Sequence, residues 1–338
     1  GVLNQLDYIK DMGFTTISIN PLLVNDVEDD SYLGLSCTDM YKIDPRFGSN
    51  ELYKNLSFHC EEKGIKLFKD IVLNHIGNEH WWMSDLPTKN WLNNENEHKS
   101  SNERVESLFD PYASKVDSYN YTKGWVEEDK PDLNQSNKYL SKYLIQNAVW
   151  WVEYAGLSGL RVPYFSYLDK GFLNKWVVEV QKFHPSLSIV ADGNLYNKSS
   201  YGLFQKQNNQ EEEVNQPVLL KSKPSNISYM MDYPLQHSII NSFNIEESSK
   251  NNNINLLYKN LVNDYLYSEP NNMIVFLDNN NLNRSFAQLN HDFDYWKVAV
   301  SYLMVTRGIP QIYYGSEVLL SDSLGSGKIT GQDLDFPG

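Results

Sequence analysis

Apolar residues along the chain follow two alternating rhythms. Leu3, Leu6, Ile9 and Met12 recur at helical spacing and stop at Gly13, a residue suited to the left-handed turn that closes a helix. Residues 15–20 follow as a β-branched run closed by Pro21. The pairing then repeats. Helical periodicity covers 51–64, 138–155, 172–183, 256–266 and 295–307, and short apolar runs predict strands over 65–73, 159–162, 187–191, 226–231, 273–277 and 310–314. Such alternation predicts an α/β fold with a parallel sheet, either doubly wound or closed as a (β/α)8 barrel. The pattern gives seven strands, one fewer than a barrel needs. The abrupt opening at Gly1, already helical in pattern, is where the eighth would be missing.

Residues 76–130 break the rhythm with Trp, Asn, Glu and Tyr at weak periodicity. A segment this long inside a compact domain is a functional insertion or a small subdomain. The polar stretch 205–216 reads as a surface loop without chemistry of its own.

Composition narrows the class. Hydrophobic residues at 41% and charged residues at 21% fit a globular chain and not a disordered one. A net charge of −14 argues against nucleic acid or an anionic membrane surface as partner. No apolar run approaches the ~20 residues of a membrane-spanning helix. Cys37 and Cys60 are too few for a disulfide scaffold and lack metal spacing, so they read as buried or free thiols. The 23 Tyr and 8 Trp serve either a large core or flat platforms for sugars.

Four strand ends carry polar groups, as barrel active sites do. They are Asp70-Ile71-Val72-Leu73-Asn74-His75, Gly159-Leu160-Arg161-Val162-Pro163, Ile189-Val190-Ala191-Asp192-Gly193-Asn194 and Phe276-Leu277-Asp278-Asn279-Asn280-Asn281. In this order they resemble the signature regions of glycoside hydrolase family 13, the α-amylase family. Pro131-Asp132-Leu133-Asn134-Gln135, Met231-Asp232-Tyr233-Pro234 and Arg307-Gly308-Ile309-Pro310-Gln311-Ile312-Tyr313-Tyr314-Gly315 strengthen the likeness. The combination is similar to the neopullulanase and cyclomaltodextrinase branch. The resemblance implies a (β/α)8 TIM barrel truncated at both ends. Its first part covers 1–75, an inserted B domain after the third strand covers 76–130, and the remainder covers 131–338. It also implies a first strand before Gly1 and a C-terminal β-domain beyond the chain.

Enzymes of this family use two carboxylates ~5–5.5 Å apart, one attacking the anomeric carbon and one protonating the leaving oxygen. A third carboxylate stabilises the transition state. Carried over residue by residue, the resemblance puts Pro163 at the nucleophile position, Asp192 at the acid/base position and Asn281 at the stabiliser position. Proline has no nucleophile. Asp192 is one methylene shorter than the Glu expected there, and a misplacement of about 1 Å costs on the order of 10²-fold in rate. Asn281 keeps shape but not charge, and Asn280 replaces a histidine. Leu33 and Leu35 stand where a sugar-contacting His and Tyr are common.

Residues that keep the family's type are Tyr32, Asp70, His75, Arg161 and Asn279, which the resemblance makes substrate-binding or supporting. Asp70 and Arg161 equally read as a charge-assisted pair, and His75 as a satisfied core histidine. Asn74 resembles a calcium ligand of some relatives, although calcium needs several oxygens; no other cofactor is implied. Asp169, Asp278 and Glu317 are the remaining carboxylates near strand ends, and none replaces both missing functions.

Three readings stay open. One is a catalytically silent amylase-fold domain, a pseudoenzyme that still binds α-glucan or maltooligosaccharide. Another is a structural subunit with a plugged cleft and a protein partner. The third is a weak hydrolase of altered mechanism using Asp192. Members of this branch work inside cells and in extracytoplasmic glycan-uptake systems, and the acidic, Asn- and Tyr-rich composition leans to the latter.

Overall fold

The structure is a computed structural model that describes residues 1–25, 33–95, 97–202, 204–205, 227–244 and 254–321. Tyr32, residues 206–216 of the polar stretch and residue 226 lie outside the described residues. The chain divides into two compact units, the first Gly1–Gly193 with 216–227 and the second Asn194–Asn215 with Ser228–Gly338.

In the first unit β1 (Thr16–Ile19), β4 (Lys66–Asp70), β5 (Gly159–Pro163) and β6 (Ser188–Asp192) lie side by side, all parallel. A hairpin of β2 (Leu23–Val24) and β3 (Asp39–Ile43) sits between β1 and α2 (Asn50–Glu62) in the chain. Helix α1 (Leu6–Asp11) precedes β1, α3 (Lys115–Lys123) lies within residues 76–130, and α4 (Lys138–Ala155) and α5 (Lys170–Phe183) connect the later strands.

Local chemistry sets these elements. The Asn137 side chain accepts from Tyr139 and Leu140 N–H and starts α4, while Gly156 closes it in the left-handed conformation. Leu140, Leu144, Ala148, Trp151, Val152 and Ala155 bury the inner face of α4. Trp151 Nε1 donates to the Met40 carbonyl at 2.8 Å and ties α4 to the hairpin. Every residue of β5 is buried, as a strand covered on both faces requires. A side chain at Gly159 would meet the Phe68 ring on the neighbouring strand at 2.5 Å, so only glycine lets that ring lie there.

In the second unit β7 (Tyr229–Met231), β8 (Met273–Val275) and β9 (Ile309–Pro310) are parallel neighbours. Helices α6 (Lys198–Gly202), α7 (Tyr233–Phe243), α8 (Asn255–Leu261) and α9 (Phe293–Val305) accompany them. Leu235, Ile239, Leu257, Val275, Ala299 and Leu303 form a buried cluster there. In each unit strand order follows chain order without the reversal of a doubly wound sheet, which is the (β/α)8 barrel plan.

Three expectations change. The strand expected over 310–314 is reduced to Ile309–Pro310, because Tyr313 and Tyr314 leave the sheet to flank the Arg284 guanidinium. The helix expected over 256–266 ends at Leu261, and Asp264–Leu266 forms a separate turn. Helix α7 was not legible. Pro234 looks like a breaker but occupies its first turn, where no N–H is needed, behind the Asp232 cap.

Candidate functional site

Asp70 ends β4, Arg161 lies in β5 and Asp192 ends β6, so three adjacent strands bring them together. Arg161 Nη1 donates to Asp70 Oδ2 at 2.6 Å and Nη2 to Asp192 Oδ2 at 2.5 Å. Asn20, after β1, accepts from Nη1 at 3.4 Å. Arg161 is 5% exposed, Asp70 2% and Asp192 1%. Two carboxylates thus share one guanidinium in a dry site. Burial pushes the Asp70 carboxyl up to about 6, against the pull of Arg161 and with the push of Asp192. Pro163 closes β5 directly opposite Asp192 in the strand register.

His75 follows β4 and is fully buried. Its Nδ1 lies 3.5 Å from Asn74 Nδ2, and its Nε2 has no hydrogen-bond partner among the described residues. The backbone of Leu35 also lies within interaction range of the ring. Burial pushes its pKa down to about 3. The Tyr164 ring meets it edge-on, with centroids 5.0 Å apart at 83°.

In the second unit Asn279 is buried, donates to Tyr233 Oη at 2.8 Å and accepts from the Asn281 N–H. Asn281 is exposed, with its amide 3.4 Å from the same hydroxyl. Asp278 is buried and accepts from Ser285 N–H and from Ser316 Oγ. Glu317 is exposed in a short turn. Asp169 caps α5 by accepting from Phe172 N–H. Asp278 and Asp169 therefore each have a structural place.

Residues 1–333 match the family model described as "Alpha amylase, catalytic domain". The chain belongs to the α-amylase family. It is 24% identical over 323 residues to the intracellular maltogenic amylase of Bacillus subtilis (strain 168), covering 95% of this chain and 48% of that protein. It is 24% identical over 322 residues to the cyclomaltodextrinase of Thermoanaerobacter pseudethanolicus, covering 94% and 50%. Such relatives place it in the neopullulanase and cyclomaltodextrinase-like branch. Among solved structures, the α-amylase from Geobacillus thermoleovorans in complex with acarbose superposes with a TM-score of 0.78 at 26% identity, covering 100% of this chain and 68% of that one. The chain spans about half the length of the curated relatives it matches.

This amylase-family chain keeps a buried oxygen set around Asn74. Asp132 is 1% exposed, and burial pushes its carboxyl well above the usual range. It accepts from Asn93 Nδ2 at 2.7 Å and from the Asn74 amide. Asn74 Oδ1 and Gln135 Oε1 are buried without partners among the described residues. Orphaned oxygens near a carboxylate match the chemistry of calcium. Asn74, Asp132 and Gln135 would hold the ion, which would tie the segment after β4 to residues 132–135. Among the described residues no cluster of three His, Cys, Asp or Glu side chains offers a transition-metal site. Cys37 and Cys60 are buried and not joined in a disulfide. No helix among the described residues is long and apolar enough to cross a membrane.

Sequence reasoning missed Asn20 and Tyr164. Asn20 stands just before Pro21 and carries no motif. Tyr164 follows Pro163 directly, and its ring contact with His75 is seen only in the fold.

Proposed function

We propose that this chain is a catalytically silent α-amylase-family domain in which residues 76–130 form the inserted B domain. The carrying observation is the Arg161–Asp192 pair beside Pro163. The residue at the acid/base position has an oxygen committed to a guanidinium and is sealed from solvent. The neighbouring strand end supplies no nucleophile to complete a retaining pair. Asn281 brings no charge to the third position. Retention of the barrel with loss of chemistry is physically ordinary, because barrel stability and site chemistry reside in different layers.

The burial of His75, Asp70 and Arg161 favours the plugged cleft over a domain that grips α-glucan through these side chains. A domain of that kind acts as a partner subunit. The test is turnover of maltooligosaccharides, cyclodextrin and pullulan by the whole protein at high load. No reducing sugar above background is expected. Hydrolysis that disappears in Asp192→Ala would sink the silent reading and favour an altered mechanism through Asp192.

A further inference from the structure

Tyr164 holds a backbone conformation that L-residues avoid, with φ 56° and ψ 23°. A side chain in this left-handed region costs roughly 1 kcal/mol or more, and tyrosine lacks the local hydrogen bonding that lets Asn adopt it. Strain of this kind persists only where the surroundings over-determine it. Here the surroundings are a stack of rings. Tyr167 lies 6.0 Å from Tyr164 and stacks on Tyr121 of α3 at 4.4 Å and 17°. Tyr121 Oη donates to Ser166 Oγ at 2.8 Å, fixing the turn that follows Tyr164.

The ring so placed is half-buried and lies edge-on to His75. Burial pushes the pKa of its hydroxyl up, and Glu127, Asp192 and Asp129, within electrostatic reach, push it further. Tyr164 therefore stands among His75, Asp192 and the acidic end of the insertion. His75 beneath it is a fully buried polar group whose Nε2 lacks a partner among the described residues. Leaving such a nitrogen unsatisfied is costly, and a ligand hydroxyl is the kind of group that would satisfy it.

We propose that Tyr164 is a built-in block that occupies the place of a neutral pyranose unit over His75, and that removing its ring opens a site for a short α-glucan. This rests on the reading of the chain as a silent amylase-family domain with a closed cleft. A six-membered aromatic ring and a pyranose are similar in size. The exchange trades an apolar edge contact for hydroxyl hydrogen bonds to His75.

The experiment is calorimetric titration of the whole protein with maltotriose and maltoheptaose. Wild type and Tyr164→Phe, which keeps the ring, are expected to give no saturable heat at millimolar sugar. Tyr164→Gly and Tyr164→Asn accept positive φ and lack the ring. Both are expected to fold, checked by urea melts, and to bind at least tenfold more tightly than wild type. Adding His75→Ala to Tyr164→Gly should abolish that binding.

Diethylpyrocarbonate labelling of His75 gives an independent reading without sugar. It should be at least tenfold faster in the ring-less variants than in wild type. A folded ring-less variant that neither binds nor labels overturns the block, as does wild type that binds as tightly as Tyr164→Gly. Turnover by wild type would instead count against catalytic silence, so the two failures are distinguishable.

Discussion

Asp192 and Arg161 are joined by a hydrogen-bonded ion pair, Nη2 to Oδ2, on adjacent buried strands. Asp70 takes the other arm of the same guanidinium. The two carboxylates and the guanidinium form one buried hydrogen-bonded unit. Its energetics depend on all three partners, since a buried charge is tolerable only while paired.

Arg161→Met leaves two buried carboxylates facing each other without a cation. A loss of about 3–5 kcal/mol in urea-melt stability is expected at neutral pH. The triple change Asp70→Asn, Arg161→Met, Asp192→Asn removes all the charges together and is expected to lose clearly less. Equal losses would mean that the guanidinium acts through packing and not through charge.

The pH dependence of stability has two opposing contributions. Asp70 is raised to about 6 from an unfolded value of ~3.9, so the folded state holds its proton more tightly. Its stabilising contribution is present below ~3.9 and is lost as pH rises through about 6. His75 is lowered to about 3 and His80 to about 4, both mainly by burial, from an unfolded value of ~6.5. Their contribution is present above ~6.5 and is lost as pH falls towards 4 and 3. Asp70→Asn should therefore make the acid loss of stability steeper between pH 6 and 4. His75→Gln should make it shallower. Urea melts across that range read both slopes.

Lys69 in β4 is 2% exposed, and its Nζ has no hydrogen-bond partner among the described residues. It lies over the rings of Trp151 at 4.6 Å and Tyr53 at 5.8 Å. Burial lowers its pKa to about 8. Lys69→Met replaces a buried cation with an apolar chain of similar length and should stabilise the fold by about 1–3 kcal/mol at pH 7. Wild-type stability rises between pH 8 and ~10.5, where the unfolded state binds the proton and the folded state does not. The advantage of the variant should therefore shrink over that range in thermal melts. A constant difference would show that folding does not lower the pKa of Lys69.

Restoring the three family carboxylates by Pro163→Asp, Asp192→Glu and Asn281→Asp should recover no turnover above background. Leu35 remains buried, Asn280 remains in place of histidine and Tyr164 still meets His75. Colorimetric assay on maltooligosaccharides checks this. Strong turnover would show that the three positions alone determine activity.

The alternation of apolar runs and amphipathic stretches was sufficient for the barrel, because the inner strands such as β5 are buried on both faces and helices such as α4 on one. Asn137 and Gly156 mark the ends of α4 in the sequence itself, since capping is local chemistry. The strand-end motifs were legible for the same reason, and so was the substitution at Pro163. What they do together was not. The sharing of one guanidinium by Asp70 and Asp192 depends on the parallel register of β4, β5 and β6, which no local pattern encodes. The turn that holds Tyr164 in its left-handed conformation is packed by Tyr121 from α3, more than 40 residues away in sequence. The sequence by itself determined the family and the barrel plan. Tertiary packing alone decided which side chains are sealed, which charges are paired and which ring lies over His75, because those are properties of contacts between distant segments.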